Sequence, residues 1–186
     1  MTDTTPAHTP PAAPSDEADP KGLEIARQEG DVYGRAVRHM TEEVADHGAE
    51  TRAGEYLVGY AVEKAEGMYR LRDGALEWMA PQGENLHVEV VVRDGADGRF
   101  LPGLTVHAEL LDSGGRSVGR HEQPFLWHPT LFHYGRNWTV PGDGEYTLRV
   151  DIAVPEWMRH DKDNGRRFTQ PVRVEFTRVP VKTGNE

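Results

Sequence analysis

The chain has 186 residues, a formal net charge of −10 and no cysteine. This length allows one full domain with tails, and no apolar run approaches the roughly 18 residues that a membrane helix needs, so we expect no membrane-spanning segment. The acidic balance argues against nucleic acid as a partner, because phosphate binding requires a basic face, and the lack of cysteine excludes disulfides and thiolate ligands.

Residues 1–20 are rich in Pro, Thr, Ala and acidic side chains. This composition is typical of a segment that cannot bury a core, so we predict a disordered arm. The arm has neither the basic start nor the apolar stretch of a secretory signal, which predicts a cytoplasmic location for the chain as written.

Residues 21–50 show apolar side chains at three- and four-residue spacings, which predicts an amphipathic helical segment. The repeating apolar residues are Leu23, Ala26, Val37, Met40 and Val44. Gly30 and Gly34 interrupt the pattern and leave open whether the segment is two short helices or one bent helix. We place His47, at the end of this segment, on the surface.

After Gly54 the chain alternates short strand patterns with turn signals such as Asp73-Gly74. The predicted strands are residues 55–62, 68–71, 85–92, 104–111, 117–124, 133–140, 145–154 and 168–179. Short strands separated in this way indicate a mainly β protein, with an immunoglobulin-like antiparallel β-sandwich over residues 54–180 behind the helical segment.

His87 and Glu89 lie two residues apart in the apolar strand predicted over residues 85–92. Side chains at that spacing share one face of a strand, and burying both is costly unless something pairs with them. A copper, zinc or iron ion suits an imidazole and a carboxylate as ligands. The alternative is a solvated polar stripe on a half-exposed strand.

His133 and His160 are two further candidate ligands. His133 begins a predicted strand, and His160 precedes a polar loop. Sites are often built on the loops at one end of a sandwich, although each histidine alone also fits a surface or structural role.

Five short motifs between Glu84 and Phe176, taken together, resemble a known family. They are His87-Val88-Glu89, the segment 100–110, His133-Tyr134-Gly135, the strand 144–148 and Arg159-His160. In this order they resemble the bacterial periplasmic iron-transport-associated metal-binding proteins, which are small copper-binding β-sandwiches encoded beside iron permeases. Family members carry secretory signals, which this chain lacks as written.

The resemblance implies a copper ion held by three imidazoles, with a carboxylate close by and a methionine thioether as a further ligand. The matching residues are His87, His133 and His160 as imidazoles and Glu89 as the carboxylate. No methionine precedes His133 at the family's position, so His128 or Met158 stands as the alternative further ligand. Without a thioether, iron or zinc becomes an alternative to copper.

The leading hypothesis is a metal-binding protein that acts as a transport accessory, chaperone or sensor. The alternatives are a metalloenzyme with redox or hydrolytic activity at the same site, and a metal-free interaction module. The resemblance alone suggests an iron permease as partner and a homodimer. An imidazole binds metal only when neutral, and its reference pKa of about 6.5 predicts metal loss below roughly pH 6.

Overall fold

The computed structural model describes residues 10–185, which form a β-sandwich preceded by a helix. The helix α1 spans Pro20–His39, and a π-helical turn over Met40–Val44 continues it. Within the described residues the strands are β1 (His47–Ala53), β2 (Tyr56–Glu63), β3 (Met68–Arg72), β4 (Ala75–Met79), β5 (Leu86–Asp94), β6 (Val106–Leu111), β7 (Ser117–Glu122), β8 (Phe125–Leu126), β9 (His133–Trp138), β10 (Gly144–Ile152) and β11 (Val172–Val181). The predicted mainly β, immunoglobulin-like sandwich with an N-terminal helical segment is confirmed.

Two antiparallel sheets pack face to face. One has the strand order β1-β2-β5-β9-β8 and the other has the order β11-β10-β6-β7, while β3 and β4 form a separate hairpin. The core lies between the sheets, where Val88 and Val90 of β5 share one apolar cluster with Leu148 and Val150 of β10. Because side chains alternate along a strand, the odd-numbered residues of β5 project from the outer face of the five-stranded sheet.

Strands β1, β4 and β8 were not predicted from the sequence. The helical segment predicted over residues 21–50 ends at Val44, and His47 begins a strand instead of lying on the helical segment. The sequence of β1 shows no apolar alternation because β1 is a partly exposed edge strand with little to bury. The sandwich therefore begins before Gly54.

The helix α1 continues without a break through Gly30 and Gly34. The Asp19 side chain caps its start by accepting a hydrogen bond from the Gly22 N–H. Both interrupting glycines are buried, and a Cβ on Gly30 would lie 1.7 Å from the carbonyl oxygen of Asp97. The segment is thus a single helix, in which the glycines allow the backbone to approach the sandwich closely.

The first part of the predicted disordered arm, residues 1–9, lies outside the described residues. Residues 10–19 turn towards the loop between β10 and β11, where the Ser15 hydroxyl donates a hydrogen bond to Asp161 Oδ2 at 2.7 Å. This part of the arm has defined contacts that its proline-rich composition did not predict.

Candidate metal centre

The candidate site lies on the outer face of the five-stranded sheet, where β5 pairs with β9. His87 and Glu89 point to this face because Val88, between them, points into the core. Glu89 lies directly opposite Gly135 in the strand register, and the alternation along β9 places His133 on the same face. The two predicted strand motifs are therefore neighbours in the sheet.

The side chains of His87, Glu89 and His133 converge on one point. Nε2 of His133 lies 3.2 Å from Oε1 of Glu89, and Nε2 of His87 lies 3.8 Å from the same oxygen. One ligand atom from each residue lies within 4.8 Å of the others. The three residues are 1%, 3% and 3% exposed, respectively, which excludes the alternative of a solvated polar stripe.

Glu89 is a buried carboxyl group in an acidic neighbourhood. Burial raises the pKa of Glu89 to about 8, and the negative charges of Glu63 and Glu66 add to the rise. Without a cation, this carboxyl group therefore keeps its proton at neutral pH. A positive ion between the carboxylate and the imidazoles would compensate the buried charge and displace the proton.

Burial also keeps both imidazoles neutral. Burial, followed by the charges of His87 and His128, lowers the pKa of His133 to about 3, while a weaker backbone contact with Leu131 opposes the change. Burial likewise lowers the pKa of His87, and its hydrogen bond with Asn137 offsets part of that effect. Because neutral imidazole is the form that binds metals, both rings are ready for coordination across the neutral range.

Two imidazoles and one carboxylate form a donor set that fits a first-row transition metal ion. One feature of the structure agrees with this fit, because the glycine at position 135 leaves space between the rings. A Cβ on Gly135 would lie 3.3 Å from Nε2 of His87 and 3.3 Å from Cδ2 of His133.

The helical segment covers the site from outside the sandwich. Val37 of α1 and Met40 of the π-helical turn form an apolar cluster with Val91 and Leu131. These four residues lie next to Glu89. They exclude water from one side of the carboxyl group, which explains how a residue on the outer face of a sheet becomes buried.

The remaining predicted ligands differ in exposure. His160 is exposed in the segment between β10 and β11, and Met158 is 98% exposed. Among the described residues, His160 does not belong to the histidine and carboxylate group that converges on Glu89. His128 lies nearer, with its ring centroid 6.0 Å from that of His133 and its Nδ1 hydrogen-bonded to the Thr130 hydroxyl.

Asn137 is a residue of this site that sequence reasoning missed. Its Oδ1 lies 2.9 Å from Nδ1 of His87, which is its direct neighbour in the register of β5 and β9. The alternation from His133 would have placed Gly135 and Asn137 on the same face. The sequence does not show which residue of β5 stands opposite each of them, because register depends on the strand pairing.

The model of the Fe2+ transport protein family matches residues 81–179, which is more than half of the chain. No curated protein sequence matches. Among the described residues, no helix is both long enough and apolar enough to cross a membrane.

Solved structures share the fold at low sequence identity. FetP from uropathogenic E. coli strain F11 has 20% identity and a TM-score of 0.57, over 72% of this chain and 95% of FetP. Copper-reconstituted P19 from Campylobacter jejuni has 19% identity and a TM-score of 0.58, over 72% of this chain and 94% of P19. A copper-bound variant of P19 has 18% identity and the same TM-score and coverage.

Proposed function

As this chain belongs to the Fe2+ transport protein family, we propose that it binds a copper ion through His87, Glu89 and His133 as an accessory of iron transport. The copper-bound and copper-reconstituted forms of P19 support copper as the ion. The family description supports the link to iron transport. Iron and zinc are the alternative ions, because imidazole and carboxylate ligands suit them as well.

The convergence of two buried Nε2 atoms on a single oxygen of Glu89 carries this proposal. A polar cluster with separations of 3.2 and 3.8 Å, shielded from water, is costly to bury unless its polar groups are satisfied. Arg and Lys side chains are the usual partners of a buried carboxylate, but here the groups facing Glu89 are neutral imidazoles. An ion bound at this point compensates the carboxylate and uses both ring lone pairs.

Three protein ligands leave room for a further donor. We propose His128 for this position, because its ring centroid lies 6.0 Å from that of His133, whereas the alternative Met158 is 98% exposed. His160 remains a prediction of the resemblance, as do the homodimer and the iron permease as partner, and Met158 remains the alternative to His128. The cytoplasmic location also remains a prediction.

A metal titration tests the proposal. The metal-free protein is titrated with Cu(II), Cu(I), Fe(II) and Zn(II) under identical conditions against a competing chelator of known affinity. We expect one equivalent of copper to bind, and the variants His87→Ala and His133→Ala to lose most of the affinity. His39→Ala is the matched control, because His39 is exposed on α1 and pairs with Glu43. Equal affinity in all three variants would contradict the proposal.

A further inference from the structure

The backbone of Glu66 holds the side-chain amide of Asn137 in place. Its Nδ2 donates a hydrogen bond to the carbonyl oxygen of Glu66 at 2.6 Å, and its Oδ1 accepts one from the N–H of Glu66 at 3.2 Å. Rotating the amide by half a turn would set donor against donor and acceptor against acceptor. The backbone of Glu66 therefore fixes Oδ1, and not Nδ2, towards the imidazole.

This orientation decides which nitrogen of His87 carries the proton. Oδ1 of Asn137 can only accept a hydrogen bond, so Nδ1 of His87, at 2.9 Å, must donate. A neutral imidazole has only one N–H. Nε2 of His87 is then without a proton, and its lone pair faces Oε1 of Glu89 at 3.8 Å.

We infer that Asn137 is a positioning residue that fixes His87 in the Nδ1–H tautomer, so that Nε2 is free to bind the ion. The role in metal binding rests on the proposed function, whereas the assignment of the tautomer does not. The hydrogen-bond partner of the second ring nitrogen commonly sets the tautomer and orientation of a metal-binding histidine. Without Asn137, no acceptor would hold the proton on Nδ1, and a proton on Nε2 would face Oε1 of Glu89 instead.

The decisive variant is Asn137→Leu, which keeps a similar volume and removes both hydrogen-bonding groups. Asn137→Asp keeps an acceptor towards Nδ1 of His87 but loses the donor to Glu66. Asn85→Leu is the matched control, because Asn85 binds the N–H and the carbonyl of Val140 through its own amide in the same manner. The Asn85 side chain bridges two backbone groups as Asn137 does, but it does not contact a histidine of the site.

The first measurement is the tautomer of His87 in the metal-free full chain, by proton–nitrogen correlation NMR at about pH 7.5, where a neutral ring is expected. The signal is assigned with His87→Gln. We expect a protonated Nδ1 and a bare Nε2 in the wild type, in Asn85→Leu and in Asn137→Asp. Asn137→Leu should move the proton to Nε2. A proton on Nε2 in the wild type, or an unchanged tautomer in Asn137→Leu, would overturn the inference.

The second measurement is copper affinity by chelator competition. Partners of metal-binding histidines typically change metal affinity by about 10- to 100-fold, so Asn137→Leu should bind copper about that much more weakly than Asn85→Leu. Asn137→Asp should recover most of the copper affinity that Asn137→Leu loses. Equal affinity in Asn137→Leu and Asn85→Leu would refute a positioning role. Failure of the wild type to bind copper would instead refute the proposed function, while the tautomer result would stand.

Discussion

Replacing Glu89 by glutamine should stabilise the metal-free protein, and the gain should grow with pH. Burial and the neighbouring acidic residues raise the pKa of Glu89 from its ordinary value of 4.5 to about 8. When folding raises the pKa of an acid, the free energy of unfolding is highest below the pKa of the unfolded state. It falls as the pH rises from that value to the pKa of the folded state. The loss therefore falls between about pH 4.5 and pH 8.

The size of the effect follows from the shift in pKa. One pKa unit corresponds to about 1.4 kcal/mol, so at about pH 7 the Glu89 carboxyl group lowers the free energy of unfolding by roughly 3 kcal/mol. At about pH 5 the same group lowers it by only about 1 kcal/mol. The difference between Glu89→Gln and the wild type should consequently widen by about 2–3 kcal/mol between these two pH values.

Urea unfolding of both proteins in the presence of a chelator measures this difference. Comparing the two proteins at each pH cancels the contributions of titrating groups that lie far from Glu89. At about pH 7 a saturating metal ion should reverse the order, because at about 1,000 times the dissociation constant it stabilises the wild type by about 4.1 kcal/mol and binds the glutamine variant poorly. A stability difference that is constant from pH 5 to pH 8, within roughly 0.5 kcal/mol, would refute the account of Glu89 as a buried, uncompensated carboxyl group.

Three further predictions concern the site and its cover. Gly135→Ala should weaken copper binding by at least about tenfold with the fold retained in circular dichroism. The new Cβ would lie 3.0 Å from the carbonyl oxygen of Val88 and 3.3 Å from both rings, so the strand or the rings must shift. Unchanged affinity would show that the ion does not lie between His87 and His133. Copper affinity should fall by about tenfold per pH unit below about pH 8, because the competing proton is that of Glu89 and the pKa of His133 lies near 3; a plateau down to about pH 6, followed by a steeper loss, would instead indicate imidazole titration. Val37→Ala should cost about 1–3 kcal/mol of stability and lower the pKa of Glu89 by admitting water. Carbon-13 NMR of the Glu89 carboxyl group measures this pKa, and an unchanged titration midpoint would contradict the role of α1 as a cover.

The pH prediction shows what the structure adds to sequence reasoning. From the reference pKa of imidazole, the sequence predicts metal loss below roughly pH 6 through protonation of histidines. Burial lowers the pKa of both His87 and His133 and raises that of Glu89, so the carboxyl group becomes the competing base. Reference values apply to solvated groups, and the cover next to Glu89 comes from a helix far away in the sequence.

The elements that bury a regular apolar face could be predicted from the sequence. Alternation marked β5 and β10, and turn residues marked their ends, so the sandwich and the shared face of His87 and Glu89 followed. The edge strand β1 could not be found in this way, because it buries few side chains. Gly30 interrupts the helical pattern and leaves open a break or a bend, although its role is a close approach to the backbone of Asp97 that only the folded chain reveals.

The sequence could not predict which residues of β5 and β9 stand opposite each other in the site. Composition and spacing could identify His133 as a candidate, but the position of Asn137 opposite His87 depends on the register between β5 and β9. His160 matched a motif of the resembled family, yet in this chain it lies exposed and apart from the converging residues. Motif order identifies a family more readily than it identifies which side chains meet.

Anomalous X-ray diffraction at the copper edge, on crystals of copper-loaded protein, tests the central claim most directly. The account predicts one strong peak on the outer face of the five-stranded sheet, about 2.0–2.2 Å from Nε2 of His87, Nε2 of His133 and a carboxylate oxygen of Glu89, as for imidazole and carboxylate ligands of zinc. Copper found only at exposed histidines such as His39 or His160, with no peak among these three side chains, would contradict it.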